Sequence, residues 1–261
     1  MTFHDLHHAE RPLVLPNAWD FASAAALCAA GFAAIGTTSL GVAAAVGLPD
    51  GEGATRDETV ALARRIVGLP VPVTVDVESG FGADLRELAA ELADLGVAGV
   101  NVEDGRPGGV LADPVEQAAS VRAVKEGAPG LFVNARVDTH WLGVDHESTV
   151  DRANRYLDAG ADGVFVPGLA REDDIAAVVA AVDAPLNVLH VPALGVQRLA
   201  ELGVRRISTG SLLFRAALHA AVETANAVRD GGAVADGVPG YADVVALITP
   251  GSARGSGFPR R

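Results

Sequence analysis

Short apolar runs alternate with segments of helical periodicity along almost the whole chain. Runs with the length and composition of buried strands stand at 13–19, 33–39, 71–78, 99–104, 131–138, 163–168, 185–190 and 205–210. Each is followed by a segment whose apolar residues recur as on one face of a helix. Such strict alternation indicates a parallel sheet, and eight strand–helix units in 261 residues predict a closed (β/α)8 TIM barrel, an α/β fold.

Helix-end signals agree with this pattern. Glycines stand at the expected C-caps of four helices, at Gly31, Gly96, Gly127 and Gly160. Asp113 before Pro114 fits an N-cap followed by proline at the first helical position. The rival fold is an open, doubly wound sheet, but no Gly-x-Gly-x-x-Gly follows the first strand. We interpret residues 1–250 as a single barrel domain and residues 251–261 as a disordered tail.

The composition excludes several classes of protein. Apolar residues make up 49% of the chain, yet no run of 18 uncharged apolar residues indicates a membrane span. The formal net charge of −13, without a Lys- or Arg-rich stretch, argues against a nucleic-acid partner. No signal-peptide pattern is present, so we expect a soluble cytoplasmic protein. The early histidines His4, His7 and His8 are expected to lie on a flexible terminus.

Three neighbouring strands carry polar residues at alternate positions. In "VTVDVES" the valines suit the helix layer, so Asp76 and Glu78 are expected to point into the barrel, near its mouth. The same parity on the next two strands turns Glu103 and Arg136 inward. Because catalysis in such barrels occurs at the carboxyl ends of the strands, these four side chains form the candidate active site.

Three inward carboxylates indicate a bound cation. Side by side they cannot all remain ionised without one, and oxygen ligands without His or Cys favour Mg²⁺, with Mn²⁺ as the alternative. Arg136 would then clamp a carboxylate or phosphoryl group of the substrate. The alternative interpretation is a structural network of buried ion pairs. The glycine-rich segment 105–112 after Glu103 is typical of a mobile lid, although a merely long loop has the same composition.

Five motifs together carry a resemblance to a known family. In this order, "LPNAWD", "DVESGFG", "VNVEDG", "NARVD" and "AGADGVFVPG" resemble the isocitrate lyase and phosphoenolpyruvate mutase superfamily, most closely its short bacterial phosphoenolpyruvate mutase-like branch. The resemblance implies a (β/α)8 barrel that forms dimers or tetramers, with the eighth helix exchanged between subunits. It also implies Mg²⁺-dependent making or breaking of a C–C or C–P bond beside the carbonyl of a small 2-oxo acid.

The resemblance also implies roles for individual residues. Asp76 is the expected main metal ligand, with Glu78 and Glu103 in the metal sphere, partly through water. Catalytic roles fall on Arg136, Asp50 and Thr38, where Arg136 grips the substrate and Asp50 lies near the metal and the reacting centre. The substrate carboxylate is expected to bind the hydroxyl and amides of Thr38, Ser39 and Leu40.

Departures from the family motifs narrow the activity. The segment "EDGRPGG" lacks the cysteine of the isocitrate and methylisocitrate lyases and the lid motif of the mutase. Pro167 stands where phosphonate-processing members tend to carry a histidine. His190 is expected to be structural, with a role as proton donor as the alternative.

The sequence therefore predicts a lyase that acts on a small 2-oxo acid through an enolate of pyruvate. Decarboxylation of oxaloacetate is favoured, because it requires no acid on the lid other than water. The alternatives are an activity of the phosphonopyruvate hydrolase or phosphoenolpyruvate mutase type, and a non-catalytic protein that binds a 2-oxo acid.

Overall fold

Parallel strands form a closed barrel in the computed structural model, which describes residues 1–249. The strands in chain order are β1 (Leu13–Leu15), β2 (Asn17–Ala18), β3 (Ile35–Thr37), β4 (Val73–Asp76), β5 (Gly99–Glu103), β6 (Gly105–Arg106), β7 (Val110–Leu111), β8 (Phe132–Arg136), β9 (Gly163–Phe165), β10 (Leu186–Leu189) and β11 (Arg206–Ser208). β6 and β7 form a separate antiparallel hairpin. The others form one sheet in the order β1-β11-β10-β9-β8-β5-β4-β3-β2, which confirms the predicted barrel.

The sheet closes through the first strand, which Pro16 divides in two. Its first half, β1, pairs with β11, and its second half, β2, pairs with β3. Pro16 has no N–H to donate, but its carbonyl accepts a hydrogen bond from the Gly36 amide at 2.9 Å. One interrupted strand therefore contacts both ends of the sheet.

Helices cover the outside of the barrel. They are α1 (Phe3–His7), α2 (Phe21–Ala29), α3 (Ser39–Ala45), α4 (Arg56–Ile66), α5 (Leu85–Leu95), α6 (Pro114–Gly127), α7 (Thr139–Leu142), α8 (Thr149–Asp158), α9 (Glu172–Ala181), α10 (Gly195–Glu201), α11 (Leu212–Arg229) and α12 (Tyr241–Ile248), with a 3₁₀ turn at His146–Ser148. The alternate valines of β4 and β5 pack against these helices in the main core, as their parity predicts. None of the helices within residues 1–249 is long and apolar enough to cross a membrane.

The helix-end predictions are confirmed except at one glycine. Left-handed backbone follows three helices as expected, with φ of 92°, 97° and 107° at Gly31, Gly96 and Gly160. Gly127 is instead the last residue of α6, where any side chain would collide with the backbone carbonyl of Arg86. The Asp113 carboxylate caps α6 by accepting from the amides of Val115 and Glu116.

The amino terminus is a packed helix, so the predicted flexible terminus is wrong. A capping box between Thr2 and Asp5 begins α1. The His7 ring is buried and stacks on Phe132 with centroids 3.9 Å apart, and Phe3 contacts the same ring edge-on at 5.6 Å. Phe132 lies at the start of β8, so α1 covers the amino-terminal end of the barrel, opposite the expected active site.

The remaining domain predictions concern the whole chain. Residues 251–261 lie outside the described residues, and the interpretation of 1–250 as a single domain stays a prediction. The stretch between β3 and α4 begins with the short helix α3.

Candidate active site

One arginine lies among several carboxylates at the carboxyl ends of β4, β5 and β8. The register places Glu103 opposite Arg136 on the adjacent strand, and their side chains form an ion pair of 2.6 Å between Nη1 and Oε2. Asp76, at the end of β4, lies close enough to raise the pKa of Glu103 by its charge. The strand ends therefore bring Asp76, Glu103 and Arg136 together, and the charge of Glu78 acts on Glu103 as well.

Two carboxylates and two aromatic rings hold Arg136. Its Nε donates to Asp138 Oδ1 at 2.6 Å, and its guanidinium lies 5.9 Å from the ring centroids of both Trp141 and Phe165. Burial by itself would lower the pKa of Arg136, but Glu103 and Asp138 raise it above its usual range. Arg136 is therefore a fixed, permanently charged group at the barrel mouth.

Asp138 was not assigned a role from the sequence, although its parity turns it inward. The Gly105 amide stabilises its charged form, and a side chain at position 105 would collide with the Asp138 carboxylate. This close approach explains why the residue that begins the hairpin is a glycine.

Asp76 is a partly exposed carboxylate supported by backbone amides. The Glu78 amide donates to its Oδ1 at 3.2 Å, and the Ser39 amide also stabilises its charged form. Burial nevertheless raises the pKa of Asp76, and the charge of Asp50 adds to this effect, while Arg136 opposes it. A cation beside Asp76 would therefore relieve an existing electrostatic penalty.

Glu78 lies beyond the strand, so parity does not determine its direction. The strand ends at Asp76, and Glu78 adopts a left-handed φ of 51°. Its carboxylate accepts from the Gly53 amide at 2.8 Å and from the Thr55 hydroxyl at 3.0 Å. Glu78 thus ties the loop 46–55 to the site. Burial raises the pKa of Glu78, and the charges of Asp76 and of the exposed Asp50 in this loop add to the rise.

The pKa of the Glu103 carboxyl group is raised to about 8. Burial is the largest cause, and the charges of Asp76, Asp138 and Glu78 add to it, whereas Arg136 opposes them. In the metal-free protein at neutral pH, this carboxyl group therefore holds a proton for much of the time.

This displacement predicts an unusual pH dependence of stability. Between pH 4.5, the ordinary pKa of the group, and pH 8, the folded protein binds a proton at Glu103 that the unfolded chain has lost. Glu103 therefore favours folding at the acidic end of this window, and stability should fall as pH rises, by up to about 1.4 kcal/mol per pH unit. Urea unfolding from pH 5 to 8 in EDTA checks this. Glu103→Gln should flatten the dependence, and an equally steep slope in that variant would contradict it.

The other residues predicted from the sequence differ in how deeply they are buried. Thr38 is buried and precedes α3, but its side chain makes no capping hydrogen bond. Ser39 and Leu40, in the first turn of α3, are partly exposed. His190, expected to be structural, is exposed at the end of β10, so its side chain does not support the core.

The predicted lid is a short hairpin with a fixed base. β6 and β7 flank a turn with left-handed glycines at 108 and 109. Arg106 donates to the Glu103 carbonyl and to Gln117 Oε1, both at 2.9 Å. Asp104, which the sequence analysis did not single out, is fully buried and accepts from Tyr156 at 2.7 Å and from Arg152 at 3.2 Å.

The hydrogen bond from Tyr156 to Asp104 predicts a loss of stability when the hydroxyl is removed. Tyr156→Phe removes the hydroxyl that donates to the buried Asp104 carboxylate, and we expect a loss of about 1.5–3 kcal/mol in unfolding free energy. Ser120→Ala is the control, because it also removes one hydroxyl, but from the exposed surface of α6, and should be nearly neutral. Urea unfolding measures both variants, and equal stabilities would show that the Asp104 cluster does not anchor the hairpin.

Buried polar residues also fill the barrel interior below the mouth. Arg206 donates to Ser208 and to Asn101, and Asn134 donates to Asn101. The sequence contained a signal for this layer, since "RRIS" and "VNVED" alternate polar and apolar residues as strands do. Strand parity turns Asn101 and Asn134 inward, because each stands two residues before an inward charged residue, Glu103 or Arg136.

The donor set fits a hydrated divalent cation. No group of three or more His, Cys, Asp or Glu side chains within residues 1–249 is arranged to hold a metal by itself. The nearby donors are carboxylate oxygens, whose pKa values are raised by burial and by their neighbours. Mg²⁺ binds through one or two carboxylates and keeps several waters, so the residues present fit it.

Comparison with known proteins identifies the family. The family model described as "Phosphoenolpyruvate phosphomutase" matches residues 3–229. An uncharacterized protein of Mycobacterium tuberculosis (strain ATCC 25618 / H37Rv) is 48% identical over 250 residues, covering 95% of this chain and 96% of that protein. The 2-methylisocitrate lyase of Halalkalibacterium halodurans is 32% identical over 195 residues, covering 70% of this chain and 65% of that enzyme.

Solved structures share the fold. A Burkholderia cenocepacia J2315 protein, described in general terms as a lyase/mutase, superposes with a TM-score of 0.87 at 32% identity, covering 96% of both chains. The 2,3-dimethylmalate lyase, a PEP mutase/isocitrate lyase superfamily member, gives 0.82 at 25% identity over 95% of this chain and 94% of that one. A phosphonopyruvate hydrolase complex with oxalate and Mg²⁺ gives 0.84 at 23% identity over 95% of each chain, and shows the fold alone.

The fold defines the class of protein, a (β/α)8 barrel, and enzymes with this fold act at the carboxyl ends of the strands. The chain belongs to the isocitrate lyase/phosphoenolpyruvate mutase superfamily and is an enzyme of that lyase and mutase type.

Proposed function

We propose that the protein is a Mg²⁺-dependent lyase that cleaves a C–C bond of a small 2-oxo acid, with oxaloacetate as the favoured substrate. The observation that carries this proposal is the fixed cation of Arg136 beside the carboxylates of Asp76 and Glu103 at the barrel mouth. An anionic substrate and a divalent cation together complement this arrangement. The match to the phosphoenolpyruvate phosphomutase family model supports a small anionic acid as the substrate class.

Asp76 is the proposed direct metal ligand, with Glu78 and Glu103 acting partly through water. When bound, the metal would stabilise the negative charge that develops on the 2-oxo oxygen during bond cleavage. The Ser39 and Glu78 amides hold the Asp76 carboxylate in its charged form. Glu78 is itself held by Gly53 and Thr55, which fixes its distance from Asp76.

Arg136 is the proposed substrate clamp. Its Nε and Nη1 atoms serve Asp138 and Glu103, which leaves the Nη2 donors for a substrate carboxylate. The substrate carboxylate is also proposed to bind the segment Thr38, Ser39 and Leu40. Asp50 is proposed to approach the reacting centre from its exposed loop. The turn of the hairpin carries glycines and no acid, so water is the proposed proton source.

A panel of 2-oxo acids and phosphonopyruvate, each with Mg²⁺, tests the activity by the release of pyruvate. We expect oxaloacetate to be turned over, and EDTA to stop the reaction. Phosphate release from phosphonopyruvate would favour the hydrolase alternative. Tight oxalate binding without turnover of any compound would favour a binding protein.

We further propose that the protein is a homo-oligomer that exchanges its eighth barrel helix, α11, between subunits. Phe214 is the only residue of α11 that is buried in the isolated chain, whereas Leu218, Val222 and Val228 are each more than half exposed. Such an apolar helix face is typical of a surface that a second copy covers. Light scattering of the purified protein gives its mass directly, and a monomer at micromolar concentration would contradict this proposal.

A further inference from the structure

A buried arginine without an acidic partner crosses the barrel interior. Arg206 begins β11 and is fully buried. Its Nε donates to Ser208 Oγ at 3.1 Å, and its Nη2 reaches Asn101 Oδ1 on β5 at 3.2 Å. It belongs to none of the ion pairs found within residues 1–249. A guanidinium buried in this way is costly for folding, so its retention calls for a role beyond packing.

Asn101 is fixed by two donors. Besides Arg206, Asn134 Nδ2 donates to the same Oδ1 atom, at 2.9 Å. Because a guanidinium can only donate, this contact determines which end of the Asn101 amide is oxygen. The oxygen is fully used by these contacts, and the amide nitrogen faces away from both donors.

Asn101 also lies beside the acid cluster. The register pairs it with Asp76 on β4, and Glu103 follows two residues later on the same face of β5. Through its contact with Asn101, the buried arginine reaches the strand position that pairs with Asp76. An amide nitrogen held here is an N–H donor next to the proposed metal ligand.

We propose that Arg206 is a positioning residue that fixes Asn101, and that Asn101 Nδ2 donates a hydrogen bond to an oxygen of the bound 2-oxo acid. The identity of that oxygen rests on the proposed function, whereas the orientation of Asn101 by Arg206 does not. In this arrangement Asn101 contributes to substrate binding, and Arg206 and Asn134 act only through it.

The interior layer offers a matched control. The Thr74 hydroxyl is buried and has no hydrogen-bond partner within the described residues. Thr74→Val keeps the shape of the side chain and leaves the hydrogen bonds from Arg206 and Asn134 to Asn101 in place. This variant therefore reports whether any change in the polar interior disturbs the site.

The test compares Arg206→Met, Asn101→Leu, the double variant and Thr74→Val. Calorimetry in Mg²⁺ measures oxalate affinity, and thermal melting reports folding. We expect Arg206→Met and Asn101→Leu each to bind oxalate roughly tenfold more weakly, because each loses the same hydrogen bond to the ligand. The double variant should bind no more weakly than either single variant. Thr74→Val should bind normally. A loss near 100-fold in the double variant, or an equal loss in Thr74→Val, would overturn the proposal.

A crystal structure of the Arg206→Met protein separates this inference from the proposed function. We expect the Asn101 amide to rotate or to lose its single orientation, with or without ligand. If wild-type protein binds no oxalate, the proposed function fails. The orientation of Asn101 in the Arg206→Met structure still tests whether Arg206 positions this residue. An unchanged Asn101 overturns that role. Should Arg206→Met not fold, Arg206→Lys serves instead, because one ammonium cannot reach Ser208 and Asn101 as a guanidinium does.

Discussion

Replacing Asp76 with asparagine is expected to abolish Mg²⁺-dependent turnover, lowering kcat by roughly a thousandfold or more. The reason is that a metal ligand contributes several kcal/mol to the stabilisation of developing charge, and each 1.36 kcal/mol is a factor of ten. Steady-state assays of pyruvate release measure the effect. Asp94→Asn is the control, since Asp94 is an exposed acid on α5.

The same variant has an expected signature in stability that distinguishes metal binding from a folding role. Because burial and Asp50 raise the pKa of Asp76, its charge is unfavourable in the metal-free protein, and asparagine should not lower the melting temperature in EDTA. Added Mg²⁺ should stabilise the wild type but not the variant. Full activity of Asp76→Asn in EDTA would show that the proposed mechanism is wrong.

Replacing Arg136 with methionine is expected to destabilise the protein and to remove substrate binding together. Glu103 and Asp138 would remain buried without their cation, and breaking a buried pair in this way costs about 3–5 kcal/mol. Denaturant unfolding at pH 8 measures the loss. Arg86→Met is the control, because its pair with Glu126 lies on the surface and should contribute about 0–1 kcal/mol.

The loss in Arg136→Met should also depend on pH. The pKa of Glu103 is already about 8 with Arg136 present, and removing the cation raises it further. Protonation of Glu103 and Asp138 below their raised pKa values removes the unpaired charges, so the variant should be closer to wild-type stability at pH 5 than at pH 8. A destabilisation that is the same at both pH values would mean that lost packing, not charge, is responsible.

The local pattern of the sequence was sufficient for the barrel. Period-two strands followed by helical periodicity leave few arrangements other than a parallel sheet covered by helices. The N-cap at Asp113 and three glycine C-caps were predictable for the same reason, since each depends on residues close in sequence. Gly127 was not, because its constraint is the Arg86 carbonyl of a different helix.

Parity predicted the inward charges only as far as the strands extend. It placed Asp76, Glu103 and Arg136 at one mouth, but it did not determine where Glu78 points, because β4 ends two residues earlier and the backbone turns left-handed. The packing of α1 under the barrel was likewise not visible. His4, His7 and His8 have helical spacing, but a five-residue helix is too short for a clear periodic pattern, and the stacking of His7 on Phe132 is a tertiary contact.

By itself, then, the sequence determined the barrel, the family and the three charged residues at the strand ends, because each follows from local periodicity or from contiguous motifs. Only the tertiary structure decided which carboxylates share Arg136, which loop holds Glu78, and that Arg206 spans the interior to Asn101. These contacts join residues that are far apart along the chain; Arg206 and Asn101, for example, are separated by 105 residues. Strand register and barrel closure bring such residues together, and spacing along the chain does not.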